Sequence, residues 1–524
     1  MLEANLLIIL SLLFVTSMLA LLSQRLKISY PILLVLAGLL ISFIPKAPVI
    51  KMDPDIIFII FLPPLLYASA WNTSWGDFWR LRRPIGLLSF GLVILTATAV
   101  AFFSHWLIPD FSLALGFLLG GIISPPDAVA AASVFQSLKV PKQVVSILEG
   151  ESLVNDASSL IVFRFALAAI FTGQFVFSEA VGSFFTVVIF GVLIGLAIAH
   201  IVYAIHRFLP TTPSIDTALT LISPYLMYLT AEHFHCSGVL AVVSGGLFLS
   251  FRSSDIFSYN SRLQANTVWN VLAYLLNGIV FILIGLQLPD IIQGIGEYSL
   301  KDCIFFAVAI SLLTIVIRIL WVFMAAYLPI LRSKTIGRPD WKSVFIVGWS
   351  GMRGVVSLAS ALAVPLTLVD GSAFPQRSLV LFITFVVILV TLILQGLSLP
   401  VILRFMKLEV EEEGPEQEQE ITHRLAEAVI AHLDTHCQQE VMENPVFRRT
   451  RERFERIAEA AGNGLMSADA TPALMKTHQE MLLEIIAVRR AELKHMHRRQ
   501  EFTVELIRAK ERELDMEEAS IRES

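Results

Sequence analysis

The feature that most constrains this chain is a succession of long apolar stretches, from residue 4 to residue 403, separated by short polar breaks. A helix crossing the hydrocarbon core of a bilayer needs about 20 mostly apolar residues, and a helix satisfies its own backbone where no water can. Thirteen candidate spans result: Ala4–Leu22, Tyr30–Ile44, Asp55–Trp71, Ile85–Leu107, Phe111–Phe135, Gln143–Phe171, Ala180–Phe208, Ile215–Phe234, Ser237–Phe251, Thr267–Leu288, Cys303–Ile330, Ser343–Leu366 and Ser378–Leu403. The second and ninth are short. Of 524 residues 56% are hydrophobic and 16% charged, against about 25% charged in soluble domains, so an ordinary soluble fold is excluded. The first stretch follows Met1-Leu2-Glu3 rather than a basic n-region, and it is longer than a usual signal h-region, so it is expected to remain as a span.

An odd count places the two termini on opposite sides, and basic loops fix the direction because they stay in the cytoplasm. With the C-terminus inside, the inner loops hold 16 basic residues, among them Arg80, Arg82, Arg83, Lys334, Arg338 and Lys342, and the outer loops hold four, Lys46, Lys51, Lys301 and Arg377. The expected topology is an outside N-terminus and a cytoplasmic C-terminal tail. Charge also divides the chain: up to Lys407 there are 23 Lys and Arg against 18 Asp and Glu, and after it 16 against 26. Residues 1–407 therefore read as the membrane domain and 408–524 as an acidic cytosolic tail. Within the tail, Glu409–Glu420 with its Gly414-Pro415 reads as a solvated hinge, and Ile421–Met442 and Leu474–Ile521 as a helical hairpin or coiled coil. The three cysteines, Cys236, Cys303 and Cys437, lack the spacing of a disulfide framework or a zinc site. No cofactor is expected, and neither a His-Glu-x-x-His motif nor a Gly-x-Ser-x-Gly elbow suggests a hydrolase.

Ionisable residues at membrane depth are costly and mark ion or substrate paths. The fifth span carries Gly120-Gly121-Ile122-Ile123-Ser124-Pro125-Pro126-Asp127. Two prolines remove two backbone donors, so the helix must break there, and unwound backbone survives only in protein or at a cavity. The sixth span opens with Glu149-Gly150-Glu151-Ser152-Leu153-Val154-Asn155-Asp156. Glu151 and Asn155, like Ser152 and Asp156, are one helical turn apart and share a broad polar face, whose oxygens suit a hard monovalent cation. Glu149 reads as a residue at the mouth, Asp156 as the deeper carboxylate. The twelfth span holds Gly348-Trp349-Ser350-Gly351-Met352-Arg353-Gly354, a second interruption, whose arginine could serve Glu151, Asp127 or Asp156. Arg164 and Arg318 are further intramembrane cations that could snorkel or pair structurally. His233 and His235, beyond Glu232, read as groups at a solvated outer mouth. Broken helices at corresponding positions of two halves point to a midplane transport site. The expected fold class is thus an all-α polytopic membrane protein of about 13 transmembrane helices in two inverted six-helix repeats, with discontinuous fifth and twelfth helices.

At these residues the chain resembles the monovalent cation:proton antiporter 1 family, bacterial sodium/proton exchangers. The resemblance rests on Phe61-Leu62-Pro63-Pro64-Leu65-Leu66-Tyr67, Ser124-Pro125-Pro126-Asp127, Gly150-Glu151-Ser152-Leu153-Val154-Asn155-Asp156 and Gly351-Met352-Arg353-Gly354. It implies a homodimer in the bacterial inner (plasma) membrane, with a core bundle that moves against a dimerisation bundle. It implies Asp156 as the site shared by ion and proton, with Asn155 beside it, Ser152 as a cation-ligating hydroxyl, Asp127 as the carboxylate of the unwound helix, and Glu151 and Arg353 as a structural ion pair. Relatives usually read Ser-Pro-Thr-Asp-Pro where this chain has Ser124-Pro125-Pro126-Asp127-Ala128, so only the Pro126 carbonyl remains to ligate there. Many also carry an acid shortly after the Pro-Pro of the third span, where this chain has Ala68 and Ser69. The implied function is antiport of a monovalent cation, Na+ first, for H+, with membrane lipid around it and no nucleic-acid partner. The rivals are K+/H+ exchange and, in a different class, a gated cation channel lined by Asp127 and Asp156.

Overall fold

The structure is a computed structural model that describes residues 2–26, 29–43, 54–135, 140–173, 177–295, 298–332, 340–368, 370–406, 415–438, 442, 444–462 and scattered positions between 482 and 521. It divides into two compact units, Met1–Val410 and Glu411–Ser524.

In the first unit every candidate span falls on a helix or a helix pair. They are α1 (Leu2–Leu26), α2 (Tyr30–Ser42), α3 (Pro54–Asn72), α4 (Arg82–Leu107), the pair α5a (Leu113–Ile123) and α5b (Ala128–Phe135), α6 (Lys142–Thr172), α7 (Phe177–Phe208), α8 (Pro213–His233), α9 (Gly238–Phe251), α10 (Tyr259–Leu286), α11 (Leu300–Arg332), the pair α12a (Trp341–Trp349) and α12b (Val355–Leu362), and α13 (Arg377–Met406). Among the described residues, seven helical segments are long and apolar enough to cross a membrane, and α2 and α9 are among the shorter apolar ones, at 13 and 14 residues. α4 is not regular: Leu87–Leu92 forms a π-helical segment.

Two packing groups emerge. α4, α5a, α6, α11, α12a and α13 pack on one another, and α2 and α3 pack with α8, α9 and α10, with α7 against α8 and α9. Small residues set the closest approaches, as expected where helices cannot be driven together by excluding water. Gly116 and Gly120 of α5a face Ala101 and Ala97 of α4, and an added Cβ would lie 2.6 Å from each alanine carbonyl oxygen. Gly38 of α2 and Gly285 of α10 likewise leave no room for a side chain against the partner backbone. Large apolar side chains on α7 and α11 point outward, among them Phe185, Ile189, Leu193, Phe305, Leu312 and Leu320, a surface suited to lipid rather than water.

The second unit contains α14 (Pro415–His436) and α15 (Pro445–Gly462), which pack together. The hinge expected through Glu420 ends sooner, because Pro415 opens the helix and its fixed φ suits a first helical turn. α15 was not anticipated: its arginines mask the recurrence of Phe447, Phe454, Ile457 and Ala461. Arg451 of α15 joins Asp434 of α14 at 2.8 Å. Most of Leu474–Ile521 lies outside the described residues.

Candidate ion-binding site

The site is built where two helices fail. Pro125 and Pro126 end α5a and delay α5b until Ala128, and the glycine-rich stretch Ser350–Gly354 separates α12a from α12b. The two gaps are tied by Asp127. Its N–H donates to Met352 O at 2.7 Å, its Oδ1 accepts from the Val129 N–H at 2.8 Å and its Oδ2 from the Val355 N–H at 3.4 Å. One carboxylate thus meets the first turns of both α5b and α12b, the positive ends of two helix dipoles.

α6 supplies the other polar groups. Ser152 Oγ accepts from the Ala128 N–H at 3.4 Å, and Asn155 Nδ2 donates to Pro126 O at 3.2 Å. The expected Pro126 carbonyl is therefore at the site, bonded to the expected asparagine. Ser89, in the π-helical segment of α4, donates to Glu151 O at 3.2 Å and accepts from Ser158 Oγ at 2.5 Å. The wider turn frees carbonyls that a regular helix would consume.

The ion pair differs from expectation. Glu151 is held by Arg318 of α11, through bonds of 2.6 Å from Nη1 and 3.0 Å from Nη2, with both side chains 1% exposed. Arg318 Nη2 also donates to Val347 O at 3.1 Å, in the last turn of α12a. The physical reason is space: an added Cβ at Gly351 would collide with Arg318 Cδ, so the glycine of the motif makes way for the arginine of another helix. Arg353 is buried as well, donating its backbone N–H to Thr391 Oγ1 at 3.1 Å, while its Nε and Nη1 have no partner among the described residues.

Asp156 is different from all of these. It is 6% exposed, it opens on a cavity of about 50 Å³, and among the described residues its carboxylate has no hydrogen-bond or ion-pair partner. The cavity is lined by Pro125, Pro126, Asp127, Ser152 and Ser357, together with α3 residues including Ser69 and with Asn277 of α10. That volume holds a few water-sized particles. The structure brings Asp156, Asn155, Asp127, Ser152 and Pro126 together. Sequence reading missed Arg318 as the partner of Glu151, and Asn277, Ser357 and Ser69 as cavity residues. Asn277 did leave a signal, as a lone amide in the apolar run Leu275-Leu276-Asn277-Gly278. At the far end of α6, Arg164 binds both oxygens of Glu232 of α8, at 2.8 and 2.6 Å, and Glu232 Oε1 also accepts from the Gly238 N–H that opens α9.

A bundle crossed by two broken helices, with a buried carboxylate beside a small cavity at the breaks, resembles the build of secondary transporters. The family described as sodium/hydrogen exchanger, transmembrane, matches residues 9–405, and the chain belongs to it. It is 35% identical over 386 residues to the sodium, potassium, lithium and rubidium/H+ antiporter of Bacillus pumilus (strain SAFR-032), covering 72% of this chain and 58% of that one. The match thus spans little more than half the length of that relative. Over 415 residues it is 31% identical to the Na+/H+ antiporter ApNhaP of Aphanothece halophytica, 78% of this chain and 76% of that one. The solved structure of the sodium proton antiporter MjNhaP1 from Methanocaldococcus jannaschii at pH 8 shares the fold, with a TM-score of 0.60 at 20% identity, covering 76% of this chain and 98% of that one.

Proposed function

We propose that this chain is a secondary active antiporter that exchanges a monovalent cation, Na+ first, for H+ by alternating access, the ion and the proton competing for Asp156. The contrast between two neighbouring carboxylates carries this reading. Asp127 is occupied by backbone N–H groups of two half-helices, whereas Asp156 opens on the cavity with its carboxylate unbonded among the described residues. A buried carboxylate is costly to carry across a membrane charged and alone. A proton or a sodium ion removes that cost, and the bare carboxylate is the state that does not cross. Asp127 acts as a fixed charge holding the two breaks, and Asn155, Ser152 and the Pro126 carbonyl shape the oxygen shell. The pair of Glu151 and Arg318 locks α6 to α11 and leaves the carrier aspartate as the group that changes charge.

The finer parts of this reading are an inverted relation between the halves containing α5 and α12, a moving bundle around α4–α6 and α11–α13, and a homodimer formed through the other bundle. With them go an outside N-terminus, a cytoplasmic tail and a place in the bacterial inner membrane. The basic-residue asymmetry supports the orientation. The name of the Bacillus pumilus relative makes K+, Li+ and Rb+ the next cations to test.

The test is reconstitution in liposomes with an imposed pH gradient, adding Na+, Li+, K+ and Rb+ in turn. Wild type is expected to collapse the gradient in a cation-dependent, saturable way, and Asp156→Asn to leave it standing. An Asp156→Asn protein exchanging at the wild-type rate would sink the carrier assignment, and cation flux independent of the proton gradient would replace antiport by the channel.

A further inference from the structure

The cavity is lined from both packing groups, and Asp156 belongs to only one of them. The other group contributes α3 and α10, and nearly all of the α3 lining is apolar: Leu62, Leu65 and Leu66 beside Ser69. In α10 the cavity residue is Asn277. Its Oδ1 is buried and has no hydrogen-bond partner among the described residues. A buried amide carbonyl left unsatisfied is destabilising, and a polar particle held in the adjoining cavity would relieve that cost.

Asn277 is also held in place. Its neighbour Gly278 packs so tightly against Thr16 and Tyr30 that any Cβ would collide with both. Tyr30 donates its hydroxyl to Tyr274 O at 3.1 Å and stacks on the Tyr274 ring. Two turns further along, Gly285 lies against the backbone of α2. α10 is therefore clamped to α1 and α2, and the amide oxygen is preorganised rather than swinging on a loose helix.

From this geometry we infer that Asn277 is a cation ligand, donating its side-chain oxygen across the cavity to the ion held by Asp156. The inference rests on the antiport reading and deepens it. Asp156 and Asn277 stand on different packing groups, so the oxygen of Asn277 completes the shell in the arrangement captured here and leaves it when the bundles shift. It selects among cations by adding a neutral oxygen at a fixed position. A proton on Asp156 needs no such shell, so Asn277 acts on the cation limb of the cycle and not on the proton limb.

The test compares wild type, Asn277→Ala and the isosteric Asn277→Asp, each reconstituted, with Na+, Li+ and K+ as the probes. Asn277→Ala is expected to raise KM for the preferred cation by about three- to tenfold, the range that one lost neutral oxygen contact gives. Its maximal rate should stay within about twofold at saturating cation, the signature of lost ground-state binding. The ratio of KM values between Na+ and Li+ should change as well. Asn277→Asp keeps an oxygen in place and should hold KM at or below the wild-type value. A second readout needs no transport: the rise in thermal unfolding midpoint on adding NaCl in place of choline chloride should shrink in Asn277→Ala. Unchanged KM and an unchanged salt-induced rise in Asn277→Ala would overturn the inference alone. So would an Asn277→Asp protein impaired as much as the alanine variant. Wild type without cation-dependent proton flux would instead overturn the antiport reading, and this inference with it.

Discussion

Replacing Arg318 by methionine isolates what holds the site's scaffold together. The guanidinium donates to both oxygens of Glu151, at 2.6 and 3.0 Å, and to Val347 O at 3.1 Å, with both charged side chains 1% exposed. Two unit charges about 4 Å apart in an effective dielectric near 20 attract by about 4 kcal/mol. Removing one partner of a buried pair leaves the other charge without compensation, which costs about 3–5 kcal/mol. Arg318→Met should therefore lower the folded-to-unfolded ratio by on the order of 10²- to 10³-fold. The double variant Glu151→Gln/Arg318→Met should recover most of that loss, because neither charge is then buried. Arg164→Met is the internal control. Its bond to Glu232 is as short, at 2.6 Å, but the side chains are 43% and 29% exposed, and such pairs contribute about 0.2–1 kcal/mol. The assay is denaturant unfolding in detergent micelles followed by tryptophan fluorescence, run as a double-mutant cycle. An Arg318→Met cost no greater than that of Arg164→Met would refute the assignment. So would a Glu151 coupling energy that appears with Arg353 and not with Arg318.

Two further outcomes follow from steric and interbundle geometry. Gly354→Ala places a Cβ into Asp127 Oδ2, so it should cost about 1–3 kcal/mol of overpacking and abolish exchange. Gly86→Ala, with nothing within 4 Å of its Cβ, should leave both near wild type, and exchange surviving in Gly354→Ala would show that the two helix breaks need not touch. Arg164 and Glu232 tie α6 to α8 across the two packing groups; cysteines at both positions, in a chain lacking Cys236, Cys303 and Cys437, should let a short thiol cross-linker stop exchange and a reductant restore it. Full exchange by the cross-linked protein would mean that α6 and α8 do not separate there during the cycle.

Much of this molecule was legible in one dimension. The thirteen apolar stretches appear as helices or helix pairs because their length and composition leave the backbone no other way to pair its groups in a bilayer. The breaks at Pro125-Pro126 and around Gly351–Gly354 were equally plain, since missing donors and missing side chains are local properties. The polar face of α6 followed from the helical repeat. What sequence reading lost were partnerships between distant helices. Arg318 and Glu151 are 167 positions apart, and the choice between Arg318 and Arg353 turns on which guanidinium reaches past Gly351. Asn277 was not singled out, because only the packing of α10 on α2 brings it to the cavity. Asp127 read as the carboxylate of the unwound helix, and only the structure shows two helix starts converging on it. By itself, the sequence determined the class of the protein, its apolar stretches, its two interruptions and the polar face of α6, because each depends on residues near one another in the chain. Only the tertiary structure decided which charges neutralise each other and which oxygens remain unpaired, because in a medium without water every buried polar group must find its partner in space.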